Sequence, residues 1–235
     1  AKELNQNIKV TLLKCSQSKK DINKAFLSKN IFPLNNAPKI SSKKIINCTN
    51  IVGLAGVEQI TEAINTNADI IICGRSTDAS LIASLPIMKG VDKAIAWHAG
   101  KIGECGAFCT TNPKSGVILI SFEKNGFFIK PVSNNTKATP YTVSAHMVYE
   151  NSNPFTLIEP GGLLDVKKAI YKKQKDGSVY VTGANWVEDN NYKIKLEGTK
   201  VVGYQSISIV LIRDESYVRR IKKWSKQIKN KVKKI

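Results

Sequence analysis

A short apolar segment that turns at a glycine into a polar sequence constrains this chain most. Residues 70–73, Ile-Ile-Ile-Cys, are too few for a buried helix and are flanked by turn-forming residues. This pattern predicts a strand that is covered on both faces in a parallel sheet. Gly74 permits a sharp turn, and Ser76, Thr77 and Asp78 provide capping groups for a helix that begins directly afterwards.

The same junction predicts a binding site for an anion. The free N–H groups and the positive dipole end at the start of a helix favour a negative charge. Arg75, which lies beside them, could hold a carboxylate or a phosphate. A second interpretation stays open, in which this is an ordinary strand-to-helix turn and Arg75 pairs with a neighbouring acidic residue.

Strands and helices alternate along the first part of the chain. Strand patterns lie at 8–13, 45–52 and 69–73, and helical patterns lie at 21–29, 57–67 and 92–109. This order predicts an α/β fold with a parallel sheet flanked by helices. The last helix is rich in small residues, which permit another backbone to approach closely. We expect this domain to span residues 1–110.

The periodicity changes after residue 110. Hairpin signals occur at Asn125-Gly126 and Asp176-Gly177, and a helix capped by Thr139 is predicted over residues 139–150. Residues 201–212 have a strand pattern. We therefore expect an α+β part with antiparallel hairpins at residues 111–213, followed by a basic C-terminal helix at residues 214–235.

The formal charge of +18 suggests a nucleic-acid partner, but its chemistry argues against one. Only four of the 36 basic residues are arginines, and arginine dominates base and planar phosphate recognition. Nine basic residues lie within 219–235, where apolar residues recur at helical spacing and no acidic residue occurs. We interpret this tail as a docked helix with a lysine-rich exposed face; contact with a membrane surface or a nucleic acid is the alternative.

Composition also bears on the compartment. No apolar stretch approaches the roughly 20 residues of a membrane span, and the first residues do not form a signal-peptide pattern. The cysteines are odd in number, and three lie in apolar or small-residue surroundings typical of reduced thiols. We therefore expect a cytoplasmic protein without a disulfide framework. The five cysteines are Cys15, Cys48, Cys73, Cys105 and Cys109.

Several motifs occur in a characteristic order along the chain. They lie at 70–79, 103–107, 139–150, 153–155, 159–165 and 203–209. With these motifs the chain resembles the acyclic terpene utilisation (AtuA-like) family over nearly its whole length. The resemblance implies a protein of acyl-CoA or branched carboxylic acid catabolism. It places its tightest block on Gly74, Arg75 and Asp78, which together with Thr77 and Glu150 we predict to bind an acidic ligand such as an acyl-CoA.

The resemblance also implies a missing N-terminal part. Family members begin with a glycine-rich strand and turn, and with further α/β units, before the position of Ala1. Either the chain is a trimmed or split version of such a protein, or another polypeptide completes the sheet. We expect a homo-oligomer or a hetero-oligomer. A non-catalytic subunit or assembly partner is the alternative function, and a basic nucleic-acid binder is the third.

Acid/base or nucleophilic chemistry is predicted for three residues, Glu104, Cys105 and His146. Cys105 lies between small residues that leave it approachable, next to Glu104, and His98 seven positions earlier could share its helical face. A buried structural cysteine is the alternative. His146 and Glu150 lie four positions apart on a predicted helix, where they could hydrogen bond and tune a general acid or base.

No cofactor is predicted. Cys105 and Cys109 with a single histidine do not form a convincing zinc pattern, so we predict no metal. Gly53-x-x-Gly56 is weaker than a dinucleotide fingerprint, so we do not predict NAD. Glu159 and Asp165 flank a diglycine turn and are interpreted as mainly structural.

Overall fold

A computed structural model describes residues 7–34, 37–149, 151–207 and 209–232. The chain divides into two compact units, residues 1–200 and 201–235. The helices of the first unit are α1 (Lys19–Leu27), α2 (Ser42–Ile46), α3 (Val57–Ile64), α4 (Asp78–Met88), α5 (Lys93–Gly103) and α6 (Pro140–His146). Its strands are β1 (Val10–Leu13), β2 (Asn50–Gly53), β3 (Ile70–Cys73), β4 (Ile118–Glu123), β5 (Gly126–Pro131), β6 (Thr156–Glu159), β7 (Gly162–Asp165), β8 (Ile170–Lys173), β9 (Val179–Thr182), β10 (Asn185–Glu188) and β11 (Leu196–Thr199).

The strands of the first unit form four small sheets. β1 and β3 pair in parallel, with Val10 opposite Ile70. The others are antiparallel: a four-stranded sheet in the order β4-β5-β9-β8, a three-stranded sheet in the order β10-β7-β6, and the pair β11-β2. The predicted mixed α/β fold with a parallel pair and antiparallel hairpins is confirmed. β2 departs from the predicted parallel sheet, because it pairs in antiparallel orientation with β11 and, through Val52, with Ser16 after β1.

Helix α5 lies in the centre of the hydrophobic core. Its side chains Trp97 and Ile102 are buried together with Phe127 of the four-stranded sheet and Leu164 of the three-stranded sheet. α5 approaches α4 very closely, because a Cβ atom at Gly100 would lie 2.5 Å from a backbone carbonyl oxygen of α4. The small residues of α5 therefore permit the tight helix contact that places the start of α4 next to the end of α5.

The β1–β3 pair is exposed on one face, which contradicts the prediction that residues 70–73 are covered on both faces. Ile70 and Ile72 are 45% and 55% exposed, and Val10 and Leu12, their partners in register, are 48% and 59% exposed. The side chains between them are partly buried, and α3 contacts this strand pair. An apolar strand is covered on both faces only where layers pack on each face, and here one face has no such layer among the described residues.

Three predicted elements differ from the structure at their ends. The strand expected at 45–52 begins only at Asn50, because Ser41 caps Lys44 N and starts helix α2. The helix expected at 92–109 ends at Gly103, and a 3₁₀ turn follows over Gly106–Cys109. The break begins at Glu104, whose backbone is extended (φ −63°, ψ 127°), and Cys105 follows in the left-handed region (φ 48°, ψ 30°). The helix predicted to reach residue 150 ends at His146.

In the described residues of the second unit, the helices are α7 (Glu215–Arg219) and α8 (Ile221–Val232). The Asp214 side chain accepts a hydrogen bond from Ser216 N and caps α7. The strand predicted at 201–212 is absent from the described residues of that range, which have no ladder partner. Across the described part of the chain, no helix combines the length and the apolar character needed to cross a membrane.

Candidate functional site

A polar cavity of about 540 Å³ lies where β3 ends and α4 begins. The turn between these elements lines it with Arg75, Thr77 and Asp78, and the last turn of α5 contributes Lys101 and Glu104. Loop residues 151–153, part of β6 with Glu159, and Lys195 complete most of the wall. The cavity therefore brings Arg75, Thr77 and Asp78 of the strand-to-helix junction together with Glu104, which was predicted from a separate motif.

Gly74, also predicted to bind ligand, shapes the turn behind the cavity. Its N–H donates to Leu13 O at 2.8 Å, which ties the end of β3 to β1. A Cβ atom there would lie 3.1 Å from both Leu13 O and the Cys15 Sγ atom. The turn can pass this close to β1 only with a glycine or with a local shift.

Among the residues that the structure describes, no side chain caps the first turn of α4. Thr77 occupies the N-cap position, but its side chain accepts no hydrogen bond from the helix. The backbone of this turn is fixed to the segment after β2, since Ala55 N donates to Arg75 O at 3.0 Å and Thr77 N donates to Ala55 O at 3.1 Å. A helix of 11 residues thus presents an uncapped N-terminus at the cavity, where an anion would be favoured.

Arg75 pairs with an acidic neighbour, as the second interpretation of the junction expected. Its Nε and Nη2 atoms lie 3.2 and 3.4 Å from the two carboxylate oxygens of Glu197. Lys195 Nζ lies 2.9 Å from the same carboxylate. The Arg75 side chain is 52% exposed, and exposed ion pairs contribute at most about 1 kcal/mol. A stronger anionic partner in the cavity could therefore replace Glu197.

A nearly buried charged group forms the inner wall of the cavity. Lys101 Nζ lies 2.5 Å from Glu104 Oε1 and 4.0 Å from Glu159 Oε1. The three side chains are only 6–12% exposed. Two carboxylates thus share one ammonium group in a region that excludes most water. Lys101 is not indicated by any sequence motif, and the diglycine turn after Glu159 led to the interpretation of this residue as mainly structural.

Burial raises the pKa of Glu159 to about 7. The charge of Lys101 lowers this pKa, and so does a weak interaction with the Thr77 hydroxyl. That hydroxyl is buried and makes no full hydrogen bond within the described residues. The charges of Glu104 and Asp78 raise it further. A carboxyl group with this pKa exchanges its proton near neutral pH, as a general acid or base must.

His146 lies behind the cavity wall and holds Glu104 by its backbone. Its Nε2 atom donates to Glu104 O at 2.8 Å, because a carbonyl oxygen can only accept. Burial lowers the pKa of His146, which favours the neutral ring. Its Nδ1 atom is buried and has no hydrogen-bond partner in the described part of the chain. His146 thus contacts the backbone of Glu104 and does not itself line the cavity. Glu150, its predicted partner, lies outside the described residues.

Cys105 and His98 do not come together. Cys105 is exposed at the left-handed break after α5 and does not line the cavity. His98 is fully buried, with its Nε2 atom 3.1 Å from the Tyr171 hydroxyl. The helix on which they were predicted to share a face ends between them, at Gly103. Within the described residues, no group of three or more His, Cys, Asp or Glu side chains could hold a metal ion.

Comparison with known proteins assigns the chain to a sequence family. The profile of the family described as "Acyclic terpene utilisation family protein AtuA" matches residues 1–235. Neither a curated protein nor a solved structure shows significant similarity to the chain.

Proposed function

Because the chain belongs to the acyclic terpene utilisation family AtuA, we propose that its polar cavity binds an acidic metabolite and performs acid/base chemistry on it. The ligand class is an acyl-CoA or a branched carboxylic acid. The observation that carries the proposal is the nearly buried group of Lys101, Glu104 and Glu159, which faces the same cavity as Arg75 and the uncapped start of α4.

Cationic groups and the helix dipole support the anionic ligand. Arg75, Lys101 and Lys195 all line the cavity, and the N-terminus of α4 adds a partial positive charge. When Glu159 is protonated, Asp78 and Glu104 are the carboxylates left in the described lining, while Arg75 and Lys195 pair with Glu197, which an anionic ligand would have to replace. The ligand's carboxylate or phosphate would then enter a site whose positive groups are already positioned.

The two buried carboxylates support the acid/base role. Glu104 is 2.5 Å from the Lys101 ammonium, whereas Glu159 is 4.0 Å away and has a pKa of about 7. Glu159 therefore exchanges its proton near neutral pH next to an ammonium group that is held mainly by Glu104. We assign the proton transfer to Glu159, with Glu104 and Lys101 setting the local charge and His146 positioning the Glu104 backbone.

Ligand binding should depend on Arg75. In a thermal-shift screen against acyl-CoA thioesters and branched carboxylates, we expect a member of these classes to stabilise the parent. Loss of a charged hydrogen bond costs about 1.5–3 kcal/mol, so Arg75→Ala should weaken that ligand by about tenfold or more. Lys89→Met, which removes an exposed charge just beyond the other end of α4, should bind it like the parent. The proposal fails if no ligand stabilises the parent, or if Arg75→Ala and Lys89→Met bind alike.

A second candidate function, assembly with another polypeptide, is favoured by the exposed face of the β1–β3 pair. Val10, Leu12, Ile70 and Ile72 form a contiguous set by register, and each is about half-exposed. A two-stranded parallel sheet is rarely stable without further strands or helices that cover it. A further chain could supply this cover and complete the sheet.

Native mass measurement tests this second candidate. We expect the parent to assemble at micromolar concentration and Ile72→Lys to shift the population to monomer, because a charge in a buried apolar interface is strongly unfavourable. Leu119→Lys is the matched control, since Leu119 also lies on a strand and is 54% exposed, against 55% for Ile72. A parent that remains monomeric, or two variants with the same mass distribution, would contradict the assembly role.

A further inference from the structure

A second cavity of about 360 Å³ lies next to the polar cavity and has a different character. Its apolar lining consists of Val57, Ile87, Trp97 and Trp186, together with Pro160. The two indole rings stack with their centroids 5.3 Å apart and their planes inclined by 3°. Trp97 and Val57 are only 2% and 7% exposed, so the inner wall is formed by well-packed core residues.

The charged residues of this second cavity are already paired with protein groups. Lys93 Nζ lies 2.5 Å from Glu188 Oε1, and both side chains are at least half-exposed. The Tyr192 hydroxyl donates to Glu58 Oε2 at 2.8 Å. Lys93 and Glu188 therefore neutralise each other, Glu58 accepts a hydrogen bond from Tyr192, and the rest of the lining offers mainly apolar contacts. Such a lining suits a hydrocarbon group better than a polar one.

The two cavities lie on either side of one turn. Glu159 lines the polar cavity, and the next two residues, Pro160 and Gly161, line the apolar cavity. This turn packs tightly on the start of α3, because a Cβ atom at Gly56 would lie 2.7 Å from Pro160 Cβ. Gly161 has a φ of +83°, a conformation that other residues rarely adopt. The segment that separates the two cavities is thus only a few residues wide and packs tightly against the start of α3.

We propose that the apolar cavity binds the hydrocarbon chain of the acidic ligand. The inference rests on the proposed function, because it places the ligand's acidic end beside Glu159 in the polar cavity. From there the chain passes over Pro160 and Gly161 and lies against Trp97 and Trp186. The substrate class is therefore a carboxylate or acyl thioester with an extended apolar chain, and short-chain acids are poor ligands.

The experiment measures affinity for a series of straight-chain monocarboxylates from butanoate to dodecanoate. Trp224→Phe serves as the parent background, so that fluorescence reports only on the stacked pair Trp97 and Trp186. Burial of each methylene group is worth about 0.8 kcal/mol, so affinity should rise about fourfold per added methylene until the cavity is filled. The indole fluorescence should change with the longer acids and not with butanoate.

A cavity-filling variant supplies the specificity control. Thr61 lines the apolar cavity from α3, and Thr61→Phe should abolish the dependence on chain length while leaving butanoate affinity unchanged. Glu62→Phe adds the same ring at the next, exposed position of α3 and should keep the full dependence.

Affinities that do not rise with chain length, or a rise that Thr61→Phe leaves intact, would overturn this inference. In either case, butanoate binding that is lost in Arg75→Ala would still support the proposed function. If no acid of any length binds, and no acyl-CoA does, both proposals are wrong.

Discussion

Replacement of Glu159 by glutamine is expected to change the free energy of unfolding differently at pH 8 and at pH 5. The change at pH 8 should be more stabilising than the change at pH 5 by about 3 kcal/mol. Burial raises the pKa of Glu159 from 4.5 to about 7 in the folded protein. Between these values the folded state holds a proton that the unfolded chain has released, so the free energy of unfolding falls as the pH rises. Each unit of difference in pKa corresponds to 1.36 kcal/mol, which gives about 3 kcal/mol over the whole interval.

Chemical denaturation of the parent and Glu159→Gln at pH 5 and pH 8 measures this effect. Glu123→Gln is the control, because it removes a carboxyl group from an exposed position at the end of β4. The control should follow the parent at both pH values. Equal changes in the free energy of unfolding for all three proteins would show that Glu159 does not titrate near neutral pH.

The titration of Glu159 also gives the proposed ligand site a pH dependence. Above a pH of about 7 the cavity gains a buried negative charge, which opposes an anionic ligand. Below that pH the protonated carboxyl could donate a hydrogen bond to it. We therefore expect the affinity for a carboxylate to fall as the pH rises through this region, and to stay constant in Glu159→Gln.

The local part of the site could be predicted from the sequence because it depends on neighbouring residues. A short apolar strand, Gly74 and the polar start of α4 identify the junction without any tertiary information. The structure places Arg75, Thr77 and Asp78 of this junction at one cavity with Glu104, which a separate motif supplied. Strand pairs joined by tight turns, such as β4 with β5, were predictable for the same reason.

The other parts of the candidate site depend on packing between segments that are far apart in the sequence. Local residue patterns do not predict such packing. Lys101 and Glu159 are 58 positions apart and meet only because α5 packs against the three-stranded sheet that contains β6 and β7. The raised pKa of Glu159 follows from that burial, so its sequence context indicated only a turn. The exposure of Ile70 and Ile72 also depends on distant segments. An apolar run predicts that other residues pack over the strand, but it does not tell whether those residues belong to this chain.

Removal of His98, the buried histidine in α5, is expected to change the pH dependence of stability in the direction opposite to the Glu159 substitution. Burial lowers the pKa of His98 from 6.5 to about 3. Between these values the unfolded chain binds a proton that the folded protein excludes, so the free energy of unfolding falls as the pH is lowered. From pH 6.5 to pH 4.5 the loss amounts to about 3 kcal/mol. Over this interval the protonation of Glu159 offsets much of it in the parent.

The double variant His98→Leu/Tyr171→Phe removes both members of the buried polar pair and avoids an unpaired hydroxyl. On acidification from pH 6.5 to pH 4.5, it should gain about 3 kcal/mol relative to Tyr171→Phe alone, which keeps His98. Urea unfolding across this range measures the difference. Parallel pH profiles for the double and single variants would mean that folding does not lower the pKa of His98, which would contradict the prediction. Glu159→Gln should lose stability over the same range, because it lacks the opposing titration while His98 stays buried.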